Sequence, residues 1–170
     1  MRLRAFGVLC CLFAFAPGGV AQAQPGNATL GPVVNSTEGW LNGRATAASL
    51  AGKVVIVDVF TFDCINCKNI TPNLRALYRK RGKDLAIVGV HSPETPYERN
   101  RANLAEALNS LGVDWPVALD NSFAIWRAYG VDAWPTQLIF DRKGRLRRTI
   151  VGDSQNAEVD RTVAALVAER

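Results

Sequence analysis

Apolar residues fall in short blocks along the chain, and the spacing inside the blocks is of two kinds. Val54 to Val57, then Val59 and Phe60, form a near-continuous run, the pattern of a strand buried on both faces. Beyond it Ile70, Leu74, Leu77 and Tyr78 recur at three- and four-residue steps, which predicts a helix ended by Arg81-Gly82. Leu85 to Val90 is a second apolar strand, and strand, helix, strand at this spacing predicts a parallel, right-handed crossover. Thr95-Pro96-Tyr97-Glu98 reads as a capping box with proline at the first helical position. That helix runs to about Leu111, carries Leu104, Leu108 and Leu111 on one face, and ends at Gly112. Val117 to Leu119 is a short strand, and Asn121 or Ser122 caps a short helix through Tyr129, stopped by Gly130. Gln137 to Asp141 and Leu146 to Val151 pair as antiparallel strands across the turn Arg142-Lys143-Gly144. A last helix, about Ala157 to Ala168, buries Val159, Val163, Leu166 and Val167. Upstream, Trp40 to Gly43 forms a first short strand or a turn, and Ser49 to Lys53 is a connector.

The predicted class is therefore α/β. Its central mixed sheet combines a parallel βαβ unit with an antiparallel hairpin, is flanked by helices, and has an insertion between the two halves. This is the thioredoxin arrangement. With 170 residues, 48% of them hydrophobic, the chain is sized for one such domain.

The first residues do not join this pattern. Arg2 and Arg4 precede the apolar stretch Ala5 to Ala16, Pro17-Gly18-Gly19 breaks it, and Ala21-Gln22-Ala23 is a small-x-small cleavage site. The predicted organisation is a signal peptide over 1–23, cut after about Ala23, a flexible Gly/Pro/Asn-rich leader over 24–38, and the domain over 39–170. Cys10 and Cys11 leave with the signal, so the mature chain keeps two of the four cysteines, in an exported, disulfide-permitting compartment. The formal charge of +5 becomes +3 without Arg2 and Arg4, too mild to indicate nucleic-acid binding; the basic clusters read as solvated surface.

The two remaining cysteines, Cys64 and Cys67, lie where the first strand hands over to the first helix. Unpaired N–H groups and a partial positive charge at a helix start stabilise a thiolate there. Cys67 lies one turn on, within reach of Cys64, so the pair can attack a disulfide and then resolve the mixed disulfide. Asp58 is the one polar residue in Val54 to Phe60; a carboxyl there is either buried, with a raised pKa suited to taking the Cys67 proton, or turned to solvent. Asp63, directly before Cys64, opposes thiolate formation by its charge, unless it is simply solvated or caps the helix. Trp134-Pro135 precedes the hairpin, where a cis peptide would offer the Trp134 backbone to an extended substrate. His91 is the one histidine. Cys64 and Cys67, with or without His91, supply an alternative reading as a copper-binding metallochaperone; otherwise His91 bonds its own loop at a strand end.

Asp58, the CxxC, Pro72 and Trp134-Pro135-Thr136, in this order, resemble thioredoxin-fold oxidoreductases. Leu50-x-Gly52-Lys53-Val54-Val55 leading into the CxxC is similar to the exported TlpA/ResA-type proteins. Phe60 to Cys67, Gly89-Val90-His91-Ser92-Pro93-Glu94 and Ala124 to Gly130 resemble the DipZ-like branch. The resemblance covers about Trp40 to Arg170. It implies a periplasmic thiol–disulfide oxidoreductase, working as a reductase, with Cys64 as nucleophile, Cys67 as resolver, Asp58 as buried acid and Pro135 as cis-proline. The redox-active disulfide needs no further cofactor. The implied partners are protein disulfide substrates and a membrane or thiol electron donor. Asp63 departs from the aromatic or small residue that such proteins often carry there, which marks it as a modulating position.

Overall fold

In the computed structural model, which describes residues 28–169, strand β2 (Val54–Phe60) is the centre of the sheet. It pairs in parallel with β3 (Leu85–His91) and antiparallel with β5 (Thr136–Phe140). Hydrogen bonding on both edges and packing on both faces leave all seven β2 residues buried, which is why its sequence is continuously apolar instead of alternating. The sheet is completed by β1 (Trp40–Leu41), β4 (Val117–Leu119) and β6 (Leu146–Val151), in the order β1-β4-β3-β2-β5-β6. β3 and β4 are parallel, whereas β1 on β4 and β6 on β5 are antiparallel. The expected βαβ unit, antiparallel hairpin and intervening insertion are all present, and the thioredoxin arrangement stands.

Alternation along β2 divides the interior in two. Val54, Ile56 and Phe60 enter a core with Ile70 and Leu74 of α3 (Ile65–Arg81), Leu104 and Leu108 of α4 (Arg101–Leu111), and Val159 and Val163 of α6 (Asn156–Ala168). Val55, Val57 and Val59 enter the other core with Val33 of α1 (Gly31–Val34), Leu50 of α2 (Ala47–Leu50), and Ile125 and Tyr129 of α5 (Ala124–Tyr129).

Four local expectations change. The signal segment 1–23 and the start of the leader lie outside the described residues. From residue 28 onward the leader packs on the domain: Val33 is fully buried, the Tyr129 hydroxyl donates to the Thr29 carbonyl at 2.9 Å, and the Leu146 N–H reaches the Ala28 carbonyl. The Ser49–Lys53 connector is preceded and partly replaced by α2, whose Thr46 and Ser49 form a reciprocal capping box. Thr95-Pro96-Tyr97-Glu98 does not start the long helix. It forms a 3-10 turn, Tyr97–Arg99, and α4 begins afresh at Arg101 with the Asn100 side chain accepting from Ala102 and Asn103. Glu98 still closes this turn, its carboxylate accepting from the Thr95 N–H at 2.7 Å, but the helical turn ends at Arg99. Neither Asn121 nor Ser122 caps α5; Asp120 takes the N–H groups of Ile125 and Trp126 at 2.9 and 3.0 Å. Phe123 stands at the N-cap with φ +61°, a left-handed turn that lets the chain double back onto Asp120.

Candidate active site

The first turn of α3 places the two thiols at different depths. Cys64 is the N-cap, with extended backbone (φ −67°, ψ 121°), and is half-buried; Cys67 is buried, at 4% exposure. Both are free thiols, and the Cys67 N–H donates to Cys64 Sγ at 3.4 Å. That hydrogen bond occupies one of the orphan donors of the helix start with sulfur, in the manner of a side-chain cap. The first turn carries no acidic residue and the last carries Arg79, Lys80 and Arg81, so side-chain charge complements the helix dipole at its far end.

Asp58 belongs to the alternating set Val54, Ile56 and Phe60, the face on which α3 lies and to which Cys67 also contributes. It is 5% exposed, so the buried reading applies. Burial pushes its carboxyl up to about 7, against a hydrogen bond from Gln137 Nε2 at 3.1 Å that favours the charged form. Burial also pushes the Cys67 thiol far above its ordinary range, helped by its hydrogen bond with Cys64 and by the Asp58 charge; the Thr61 main chain acts in the opposite direction. The Asp58 and Cys67 groups therefore sense each other electrostatically.

Asp63 is exposed (side chain 65%) and pairs with Lys68 at 3.0 Å. Of the alternatives for this residue, the solvated one holds for its side chain, and such an exposed pair contributes little to stability. Its main-chain N–H points inward instead, to Glu98 Oε1 at 3.2 Å.

The Trp134–Pro135 peptide bond is cis. Trp134 Nε1 donates to the Ser92 carbonyl at 3.0 Å, and its ring leans on Trp126 with centroids 4.5 Å apart. Trp134 and Cys64 both border the core that contains Cys67. The side chains of Ile65 and Tyr97 stay outside it, at 66% and 61% exposure.

His91 does not join the thiols. It is 1% exposed, stacked on Phe62 at 5.4 Å and edge-on to Phe60 at 5.5 Å. Burial lowers its pKa to about 4, partly countered by the Glu98 charge. Among the described residues no group of three or more His, Cys, Asp and Glu side chains is placed to hold a metal ion. The three-ligand copper site of Cys64, Cys67 and His91 is thus not assembled.

Three residues escaped the reading of the sequence: Gln137, Thr61 and Glu98. Gln137 stands opposite Asp58 in the β2–β5 register, and a second polar residue in an apolar strand was the signal for it. Thr61 is fully buried between Phe60 and Phe62, and Glu98 is 1% exposed. Glu98 carried a signal too, but a capping box accounted for it locally and hid its longer reach.

A sheet of this order with paired thiols at the start of α3 defines a thioredoxin-like protein of the thiol–disulfide oxidoreductase class. The Redoxin family model matches residues 33–166, and the chain belongs to that family. Protein DipZ of Mycobacterium tuberculosis is 35% identical over 127 residues, which cover 72% of this chain but 18% of DipZ. The chain thus spans less than a fifth of that relative's length. The thiol-disulfide oxidoreductase YkuV of Bacillus subtilis is 25% identical over 139 residues, covering 81% of this chain and 94% of YkuV. In fold, the chain is similar to a thiol-disulfide isomerase from Corynebacterium glutamicum, with TM-score 0.69 and 23% identity over 79% of this chain and 94% of that one.

Proposed function

We propose that this chain exchanges disulfides with protein substrates through Cys64 and Cys67, in the reductase direction, and that it does so in an exported compartment reached by a signal peptide over residues 1–23. The observation that carries the reading is the division of the dithiol: a half-exposed Cys64 at the N-cap of α3, and Cys67 buried one turn below and hydrogen-bonded to it.

The Cys64 thiolate attacks one sulfur of the substrate disulfide. A Cys64–substrate S–S bond forms, the substrate bond breaks, and one substrate thiolate leaves. Cys67 then loses its proton and attacks Cys64 Sγ. The Cys64–Cys67 disulfide forms and the second substrate thiolate leaves, so two electrons pass from the dithiol to the substrate. Asp58, with its carboxyl near 7, is the base for the Cys67 proton, directly or through a water. A reducing dithiol, membrane-borne or soluble, must return the two electrons for the next cycle.

The reductase direction rests on the resemblance to the thioredoxin-like oxidoreductases. The exposed apolar side chains of Ile65 and Tyr97 near the Cys64 loop, together with Trp134, suit an extended polypeptide. The cis Trp134–Pro135 bond belongs to the same proposed substrate-binding surface.

The test is reduction of insulin by dithiothreitol with catalytic amounts of protein. Wild type accelerates precipitation of the insulin B chain, Cys64→Ser abolishes this, and Cys67→Ser accumulates a mixed disulfide with the substrate. A wild-type protein whose two thiols titrate normally yet leaves insulin unreduced would overturn the reading.

A further inference from the structure

Glu98 is a buried carboxylate surrounded by donors from two separate segments. Oε2 accepts from the N–H groups of Glu94 and Thr95 at 2.9 and 2.7 Å and from the Thr95 hydroxyl at 3.1 Å. Oε1 accepts from the Thr61 hydroxyl and from the Asp63 N–H at 3.2 Å. Five donors fill the accepting capacity of one carboxylate. All five are neutral. Burial alone would raise the Glu98 pKa, but the hydrogen bonds from Thr61, Thr95 and Asp63 outweigh it and hold the group below its ordinary value. Such a charge is costly to bury and is tolerated only because every lone pair is used.

The two halves of this carboxylate do different things. Oε2 closes the loop after β3 on itself, which any well-bonded side chain can do. Oε1 crosses 37 residues to the segment between β2 and α3, whose next residue is Cys64. Thr61 is fully buried, and its chain neighbours Phe60 and Phe62 pack in the same core as Cys67, so this segment lines the buried thiol; the Thr61 main chain also favours the charged form of the Cys67 sulfur. The Thr61 hydroxyl lies 3.5 Å from His91 Nε2 and donates to Glu98.

We propose that Glu98, acting through Thr61, is a positioning residue for the resolving half of the exchange: it holds residues 61–63 in place beside the buried Cys67. This rests on the disulfide-exchange reading above. Cys64 attacks from the N-cap without this contact. Cys67 is buried, and its thiolate has the Thr61 main chain as a stabilising neighbour. Loosening Thr61 therefore slows the second step and spares the first.

The two steps are separable with 5,5′-dithiobis(2-nitrobenzoate) as substrate. Attack by Cys64 forms the Cys64–aryl disulfide and releases one thionitrobenzoate. Attack by Cys67 on Cys64 Sγ closes the Cys64–Cys67 disulfide and releases the second, with two electrons passing from the dithiol to the reagent. Glu98→Gln replaces one accepting oxygen by an amide donor that faces donors, and Thr61→Val removes only the hydroxyl. Each is expected to slow the second release about tenfold, the loss of one hydrogen bond to a charged group, with the first release within about twofold of wild type. Thr61→Ser, which keeps the hydroxyl, restores the second phase. If Glu98→Gln does not fold, the Thr61 pair carries the test. Unchanged second phases, or both phases slowed alike, would overturn the proposal. A wild-type protein that releases no thionitrobenzoate despite free thiols would instead overturn the exchange reading itself.

Discussion

Asp58 and His91 are both buried ionisable side chains, and burial moves them in opposite directions. The Asp58 carboxyl goes from 3.8 up to about 7 and the His91 imidazole from 6.5 down to about 4. Between about pH 4 and 7 an unfolded Asp58 is ionised while the folded one keeps its proton, so this residue makes stability fall as pH rises through that window. His91 does the reverse: below 6.5 the unfolded chain binds a proton that the folded chain refuses, so stability falls as pH drops from 6.5 towards 4. The two slopes offset each other over the range they share. Asp58→Asn, unfolded by urea across pH 4.5 to 8 with thiols reduced, is expected to show the histidine slope alone. Its advantage over wild type grows through the window to a few kcal/mol at pH 8, about 4 at most for a shift of this size. His91→Phe, which keeps a ring against Phe60 and Phe62, is expected to show the aspartate slope alone. Asp58→Asn should also slow insulin reduction at neutral pH, since it removes the proposed base. Equal pH profiles for wild type and both variants would show that neither group is shifted.

At the scale of elements, short pieces are held by single buried polar residues. α5 has six residues, too few to persist on local hydrogen bonds. Asp120, 1% exposed, takes two of its N–H groups and also accepts the Ser92 hydroxyl at 2.8 Å. It thereby ties the end of β3 to the helix that carries Trp126, on which Trp134 rests. Asp120→Ala is expected to cost about 2 kcal/mol or more in urea unfolding, the combined loss of a cap and of a buried charge-assisted hydrogen bond. Asp120→Asn should recover part of it. The sequence pointed to Asn121 or Ser122 for this cap because both are good capping residues beside the apolar pattern. The choice was decided by Phe123, whose positive φ turns the chain back by one more step. Glu98 shows the same limit: its spacing from Thr95 satisfied a local rule, and its longest bond, to Thr61, was invisible to any local rule.

At the scale of the molecule, the sheet separates two cores, and the thiols concern one of them. Cys67 packs with α3, α4 and α6, whereas the segment from residue 28 covers the other face through Val33. Val33→Ala is therefore expected to lower stability by about 2 kcal/mol in urea. Both phases of thionitrobenzoate release should stay unchanged, because no core contact links Val33 to the dithiol. A slowed second phase in that variant would mean that the two faces are coupled through β2.

The sequence by itself determined the strand–helix–strand unit, the antiparallel hairpin and the position of the dithiol between β2 and α3. These follow from periodicity and from chain neighbours: apolar runs, three- and four-residue steps, and a CxxC at the junction. It also singled out Asp58, since one carboxyl in a strand buried on both faces stands out in one dimension. What only the tertiary structure decided are the partners brought from afar. The register of β5 on β2 put Gln137 beside Asp58. The packing of residues 28–38 turned an expected leader into part of a core. The turn after β3 carried Glu98 across to Thr61, 37 residues away, next to the thiol pair. Asp63, which promised to act by its charge, has that charge in solvent beside Lys68 and gives the site its main-chain N–H. The physical reason is the same in each case. A buried polar group must be satisfied by whatever the fold places within about 3 Å, and sequence spacing does not record that distance.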